Sequence, residues 1–135
     1  MYQAPDKLYP FESNWFDMDG IRMHYLDEGP RDAPIVLMVH GNPTWSFYYR
    51  NLVLALRDRY RCIVPDHIGC GRSDKPGDDR YYYYLARRIG DVDALVQATG
   101  GDGPLSLVVH EWGGMIGYGW AATRAERIER SVILN

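Results

Sequence analysis

The chain has 135 residues, a formal net charge of −3 and 24% charged residues. This balance provides no basic patch for nucleic acid, and no apolar run approaches the ~20 residues of a membrane span. The first residues, Met-Tyr-Gln-Ala-Pro-Asp, lack the basic start and apolar stretch of a secretory signal. We therefore expect a cytoplasmic protein without a nucleic-acid partner or a membrane span.

Apolar patterns predict a strand at each of several places along the chain. Residues 15–17 and 21–26 form an expected hairpin with Asp-Gly at its turn. Continuous apolar runs predict further strands at residues 35–39, 62–64, 105–109 and 131–134.

Between these strands, apolar residues recur at the spacing of an amphipathic helix. The predicted helices cover residues 45–56, 85–96 and about 114–123. Short connections between alternating elements predict an α/β fold with a largely parallel sheet behind an antiparallel start.

The segment at residues 106–117 carries the strongest functional signal. An apolar run ends at Glu111, and glycines follow immediately before a helical pattern. This is the pattern of a nucleophile elbow, in which a tight turn between strand and helix presents one side chain. A carboxylate at that position attacks carbon and forms an ester. The alternative is that Glu111 only caps the following helix.

Two other residues are expected beside this carboxylate. The backbone N–H groups of Asn42 and Trp112 are predicted to hold negative charge on an oxygen or a leaving group. The Asn42 amide and the Trp112 indole are further donors for a halide or a carboxylate-like group. All of them follow strands whose carboxyl ends meet at one edge of the sheet.

Supporting roles are expected for the residues around these groups. Asp66 is predicted to bond the backbone N–H groups of its own loop. His40 and His110 are expected to hydrogen-bond the loops of the oxyanion site, and His67 to be solvated or to form a turn. His24 is expected at the surface.

Other small and aromatic residues near the site are assigned to packing. Gly41 belongs to the His-Gly-Asn-Pro loop, and Gly113 is expected to allow close contact between helix and strand. The four tyrosines at 81–84 are expected to pack their rings on the core at a helix entry.

No metal or cofactor site is expected. Cys62 and Cys70 are expected to be free thiols, because disulfides are rare in cytosolic proteins, and their spacing fits no zinc site. The hard-ligand alternative, Asp66 with Glu111, requires both carboxylates to turn inward.

Three motifs together resemble a known family. They are His40-Gly-Asn-Pro-Thr-Trp-Ser46, Asp66-x-x-Gly-x-Gly-x-Ser-Asp-Lys-Pro76 and His110-Glu-Trp-Gly-Gly114. In this order they are similar to the α/β-hydrolase superfamily and its haloalkane dehalogenase-like branch. The segments 40–50 and 64–76 most resemble the β-lactone decarboxylases of bacterial long-chain olefin biosynthesis.

The resemblance implies a nucleophile at position 111, a small apolar substrate (a β-lactone or a haloalkane), and assembly with other olefin-pathway enzymes. It also implies that residues 1–135 form the N-terminal portion of one core domain, without the cap, the later strands, the acid loop and the catalytic His. Glu111 stands where the family has Asp. Without a base to activate water, an ester at Glu111 is expected to form and not to turn over.

Two interpretations remain open from the sequence. In one, the chain is a fragment of a β-lactone decarboxylase or a haloalkane dehalogenase and is inactive alone. In the other, it is a complete short protein that acts as a non-catalytic binding or assembly module.

Overall fold

The computed structural model describes residues 4–135. Six strands form one sheet: β1 (Asn14–Met18), β2 (Ile21–Glu28), β3 (Ile35–Val39), β4 (Arg61–Pro65), β5 (Leu105–His110) and β6 (Ile128–Leu134). Three α-helices connect them: α1 (Arg50–Leu56), α2 (Leu85–Thr99) and α3 (Trp112–Thr123). Short 3-10 turns at Ser46–Tyr49 and Ala125–Arg127 precede α1 and β6.

The sheet is mixed, and its order is β1-β2-β4-β3-β5-β6. The first two strands form an antiparallel hairpin, and β2 is also antiparallel to β4. The remaining strands, β4, β3, β5 and β6, are parallel. This confirms the predicted α/β fold with an antiparallel start. No helix among residues 4–135 is long and apolar enough to cross a membrane.

Alternate side chains of β3 enter two cores on opposite faces of the sheet. Leu37 and Val39 pack with the helices α2 and α3, whereas Val36 and Met38 pack with the α1 side. A strand that is buried on both faces reads as a continuous apolar run, which explains why β3 was predictable.

The helices cover opposite faces on the two sides of β3. The connection from β3 to β4 runs through α1 on one face, and the connection from β4 to β5 runs through α2 on the other. In open α/β sheets such a reversal leaves a crevice beyond the carboxyl ends of the strands. The loops that carry the candidate site residues meet at this crevice.

Candidate active site

The candidate site lies where β3, β4 and β5 end side by side. His40 follows β3, Asp66 follows β4, and Glu111 follows β5. The parallel pairing of β3 with β4 and with β5 brings these ends to one edge of the sheet. Residues separated by dozens of positions in sequence therefore share one site.

Glu111 lies at a sharp turn between β5 and α3. Its backbone angles are φ 53° and ψ −123°, and its side chain is exposed. A positive φ at a residue with a β-carbon costs on the order of 1–3 kcal/mol and persists only where the surroundings impose it. The strained apex and the exposed side chain are the geometry of a nucleophile elbow.

Two backbone donors converge on one oxygen of this carboxylate. Glu111 Oε2 accepts the N–H of Asn42 at 2.8 Å and the N–H of Trp112 at 2.6 Å. These two bonds hold the pKa of the Glu111 carboxyl below its usual range. Within residues 4–135, Oε1 accepts no hydrogen bond, so one ionised oxygen is fixed and the other is available to react.

Two glycines permit the close contacts of this turn. A β-carbon on Gly41 would lie 2.5 Å from Glu111 Oε2, and one on Gly113 would lie 2.1 Å from the carbonyl oxygen of Val39. Both distances are shorter than real β-carbon contacts allow. Gly113 thus provides the expected close packing of α3 on the sheet, while Gly41 leaves room for the carboxylate.

A cavity of about 380 Å³ adjoins Glu111. Asn42 and Trp112, whose backbones hold the carboxylate, both contribute to its wall. Trp112 is 45% exposed, and neither its indole nor the Asn42 amide makes a hydrogen bond within residues 4–135. The remaining wall is mostly apolar and aromatic, formed by Gly41, His67, Cys70, Tyr83, Tyr84, Leu85, Arg88 and Ile116.

His40 and His67 form a buried, neutral pair beside this cavity. His40 Nε2 accepts the N–H of His67 at 3.0 Å, so its Nδ1–H donates to the Gly41 carbonyl at 2.6 Å. His67 Nε2 donates to the His40 carbonyl at 2.9 Å. Burial lowers the pKa of both imidazoles, His67 more strongly. His40 thus bonds the loop that follows β3. His67 is buried and not solvated, and its carbonyl accepts the N–H of Cys70 at 2.8 Å, which is the turn that the sequence offered as the alternative.

His24 is also buried, which corrects its expected surface position. Its Nδ1 donates to Asp66 Oδ2 at 2.9 Å, and its Nε2 lies 2.9 Å from the Ser13 hydroxyl. A polar side chain on a strand favours an exposed position, and the sequence does not show the carboxylate 42 residues later that binds this imidazole.

Asp66 organises the loop after β4. It accepts the backbone N–H groups of Ser46 at 2.6 Å and Arg72 at 3.0 Å, in addition to His24. Burial alone would raise its pKa, but the hydrogen bond and charge of His24 and the Arg72 N–H lower the pKa below its usual range. Asp66 therefore braces the backbone of two loops, its own at Arg72 and the loop before α1 at Ser46.

His110 differs from its expected role. Its ring stacks on Tyr48 with centroids 4.1 Å apart, and its buried Nδ1 has no hydrogen-bond partner within residues 4–135. It supports the site by packing rather than by hydrogen bonds to the oxyanion loops.

The tyrosine run and α2 contribute residues that the sequence did not mark. Tyr81 is fully buried, but Tyr82, Tyr83 and Tyr84 are exposed and precede α2, so the expected packing holds for Tyr81 alone. Tyr83, Tyr84 and Arg88 line the cavity. The run of four tyrosines could indicate an aromatic wall from sequence alone. The sequence gives no such signal for Arg88, because a cation on an amphipathic helix usually faces solvent.

Residues 4–135 contain no group of three or more His, Cys, Asp or Glu that could hold a metal ion.

The sheet, the elbow and the paired backbone donors together define an α/β hydrolase. Residues 34–135 match the family model described as the alpha/beta hydrolase fold, and the chain therefore belongs to that family.

Two relatives show which branches of this family the chain is similar to. The chain is 55% identical over 130 residues to a cis-3-alkyl-4-alkyloxetan-2-one decarboxylase of Shewanella oneidensis, covering 96% of this chain and 40% of that protein. It is 45% identical over 132 residues to haloalkane dehalogenase 2 of Mycobacterium bovis, covering 97% of this chain and 44% of that protein. These relatives confirm the resemblance to β-lactone decarboxylases and to the haloalkane dehalogenase-like branch.

A solved structure supports the fold. One described among novel epoxide hydrolases of the α/β hydrolases superfamily, from metagenomes of hot environments, superposes with a TM-score of 0.82 at 37% identity. The match covers 93% of this chain and 42% of that one. The chain thus spans about 40% of the length of the relatives that it matches.

Proposed function

We propose that this chain supplies the nucleophilic half of a β-lactone decarboxylase active site, with Glu111 as the nucleophile. The observation that carries the proposal is the arrangement of the Glu111 carboxylate, with Oε2 bound by two backbone N–H groups and Oε1 unbound at a strained, exposed turn. The depressed pKa keeps this carboxylate ionised at neutral pH. The substrate class follows the relative that is 55% identical.

The chemistry divides into two balanced steps. Glu111 Oε1 attacks the alkyl-substituted ring carbon that is bonded to the ring oxygen. The bond between this carbon and the ring oxygen breaks with its electron pair on the oxygen, which becomes part of a carboxylate. The bond from carbon to this carboxylate then breaks and its pair forms the C=C bond. The ester C–O pair returns to Glu111, and carbon dioxide and an alkene leave.

Attack at the carbonyl carbon fits this outcome less well. It would leave a mixed anhydride of Glu111 and a β-alkoxide, and the carboxyl carbon would stay bound to the protein until water cleaved the anhydride. Attack at the alkyl carbon instead releases the carboxylate that decarboxylation requires, without a water molecule.

Haloalkane dehalogenation is the second candidate, because a relative at 45% identity has that name and because Asn42 and Trp112 offer free side-chain donors at the cavity. The first step is the same displacement, with halide as the leaving group. The resulting ester needs activated water. Within residues 4–135, His24 and His40 have both ring nitrogens hydrogen-bonded to neighbours. His67 donates through Nε2, and burial lowers the pKa of its imidazole, which makes it a weak base; the His110 ring is stacked on Tyr48. We therefore expect this ester to persist on the chain.

The test is to incubate the chain with a cis-3,4-dialkyl β-lactone and to measure the alkene released by gas chromatography. The sequence-based expectation of an inactive chain rests on the missing base that activates water, but the two steps above consume no water. We therefore expect alkene from the wild type and from Glu111→Asp, which keeps a nucleophilic carboxylate, but none above background from Glu111→Gln. Equal alkene from Glu111→Gln would overturn the proposal. A cytoplasmic location stays a prediction from the sequence, and assembly with other olefin-pathway enzymes stays a prediction that rests on the resemblance alone.

A further inference from the structure

Arg88 provides a cationic group in the wall of an otherwise apolar cavity. It lies near the start of α2, is partly buried, and lines the cavity together with Asn42 and Trp112. Burial lowers the pKa of the His67 imidazole and raises the pKa of the Cys70 thiol and of the Tyr83 phenol, so these three lining groups are uncharged at neutral pH. Arg88 therefore dominates the charge of this wall.

Arg88 has no carboxylate partner in the described part of the chain. Its Nη1 donates to the Ile68 carbonyl at 2.6 Å, which anchors the guanidinium. Its neighbour Arg87, in contrast, is paired with Asp91 at 3.1 Å. A guanidinium has five N–H donors in a planar fork that matches the two oxygens of a carboxylate. An anchored and unpaired fork at a cavity is suited to a ligand carboxylate.

We propose that Arg88 forms a carboxylate subsite that selects substrates able to present two oxygens. This inference rests on the proposed function and specifies its substrate class. A β-lactone carries a carbonyl and a ring oxygen on one carbon, and ring opening converts both into a carboxylate. Arg88 binds the lactone oxygens weakly and the carboxylate strongly, so it stabilises the ring-opened state and keeps its own proton throughout.

The same subsite distinguishes the two candidate substrate classes. A haloalkane has no pair of oxygens, so a partly desolvated guanidinium contributes nothing to its binding and remains without an anion. The cavity therefore favours β-lactones over haloalkanes of the same length. The neutral and apolar remainder of the wall accommodates the alkyl chains.

The test measures binding of octanoate and of 1-octanol, which differ in the carboxylate and share an alkyl chain. Calorimetry reports both dissociation constants, and quenching of the tryptophan fluorescence, to which Trp112 in the cavity wall contributes, is a check. For Arg88→Gln we expect the Kd of octanoate to rise about tenfold, since a hydrogen-bonded charge is lost, and the Kd of 1-octanol to stay unchanged. Arg87→Gln, which removes the same charge one residue earlier on α2, is the matched control and is expected to change neither.

Two results would overturn the subsite. One is octanoate binding that does not change in Arg88→Gln; the other is an equal loss of octanoate and 1-octanol binding, which is the result for an arginine that only holds the Ile68 loop. Octanoate binding does not depend on Glu111 as a nucleophile. Failure here is therefore distinguishable from failure of the proposed reaction, which the Glu111→Gln comparison decides.

Discussion

Glu111 and Asn42 lie 69 residues apart in sequence, and the backbone N–H of Asn42 donates to Glu111 Oε2 at 2.8 Å. The contact joins the loop after β3 to the turn after β5. Together with the N–H of Trp112 at 2.6 Å it orients the carboxylate and leaves the second oxygen unbound. The position of the reactive oxygen of Glu111 depends on these two contacts.

Gly41→Ala is expected to displace the Glu111 carboxylate, because the new β-carbon would lie 2.5 Å from Oε2. Misplacement of a reacting group by about 1 Å can cost on the order of a hundredfold in rate. We expect a loss of this size in the rate at which an alkyl halide esterifies Glu111, measured by mass spectrometry. Gly90→Ala is the control, since nothing lies within 4 Å of its added β-carbon. Equal rates in the two variants would refute the proposed constraint.

Asp66→Asn is expected to destabilise the fold by about 3 kcal/mol, since hydrogen bonds to a charged acceptor contribute about 1.5–3 kcal/mol and a buried donor left unsatisfied adds to the cost. Asp66 is fully buried and accepts from His24, Ser46 and Arg72, whereas the amide of Asn places N–H groups against some of these donors. Urea unfolding measures the loss. Glu129→Gln is the surface control, because its pair with Arg130 is long and exposed, and we expect it to change stability by less than about 1 kcal/mol.

Stability is expected to fall as pH decreases below the ordinary histidine pKa of 6.5. Burial lowers the folded-state pKa of both His40 and His67, so in this window the unfolded chain binds more protons than the folded one. Each such histidine changes the free energy of unfolding by up to about 1.4 kcal/mol per pH unit. Its contribution to stability is fully present above the pKa that it has in the unfolded chain.

His67→Gln separates this effect from other titrations. Glutamine can still donate to the His40 carbonyl, but it does not titrate. We expect the decline in unfolding free energy between about pH 6.5 and the folded-state pKa to become shallower in this variant. Unchanged pH profiles of the wild type and the variant would show that the buried pair does not govern the decline.

The edge strand β6 is expected to promote association of the chain. It lies at the end of the sheet order, and its Val132 and Ile133 side chains are 50% and 69% exposed. Exposed apolar edges are templates for pairing with another chain, and inserted lysines oppose it. We expect Ile133→Lys to shift the chain toward monomer in sedimentation velocity. Tyr82→Lys changes a side chain of similar exposure, 67%, away from the edge and should not produce that shift.

Much of the fold was predictable from periodicity alone. The apolar runs of β3, β4 and β5 are strands that neighbouring strands and helices bury, so composition identifies them. The prediction for β6 was too short: the strand begins at Ile128, but Glu129 and Arg130 interrupt the apolar run because they lie exposed at the edge. The pattern of apolar residues does not show that the pairing with β5 continues through polar residues of β6.

The candidate site was predictable where residue type and local spacing define it. The position of Glu111 at the elbow follows from its strand and glycines. The buried pair of His24 and Asp66 and the cavity position of Arg88 do not, because they depend on contacts between distant elements. Buried polar groups depend on specific partners, and a sequence shows the groups without the partners.

The most direct test of Glu111 as nucleophile is mass spectrometry of the chain after incubation with a 1-bromoalkane. The account predicts one alkyl group per chain, located by peptide mapping at Glu111, with an equal amount of bromide released. Glu111→Asp should carry the group at the same position, and Glu111→Gln should carry none. Absence of an adduct on the wild type, an adduct located at another residue, or equal labelling of Glu111→Gln would contradict the account.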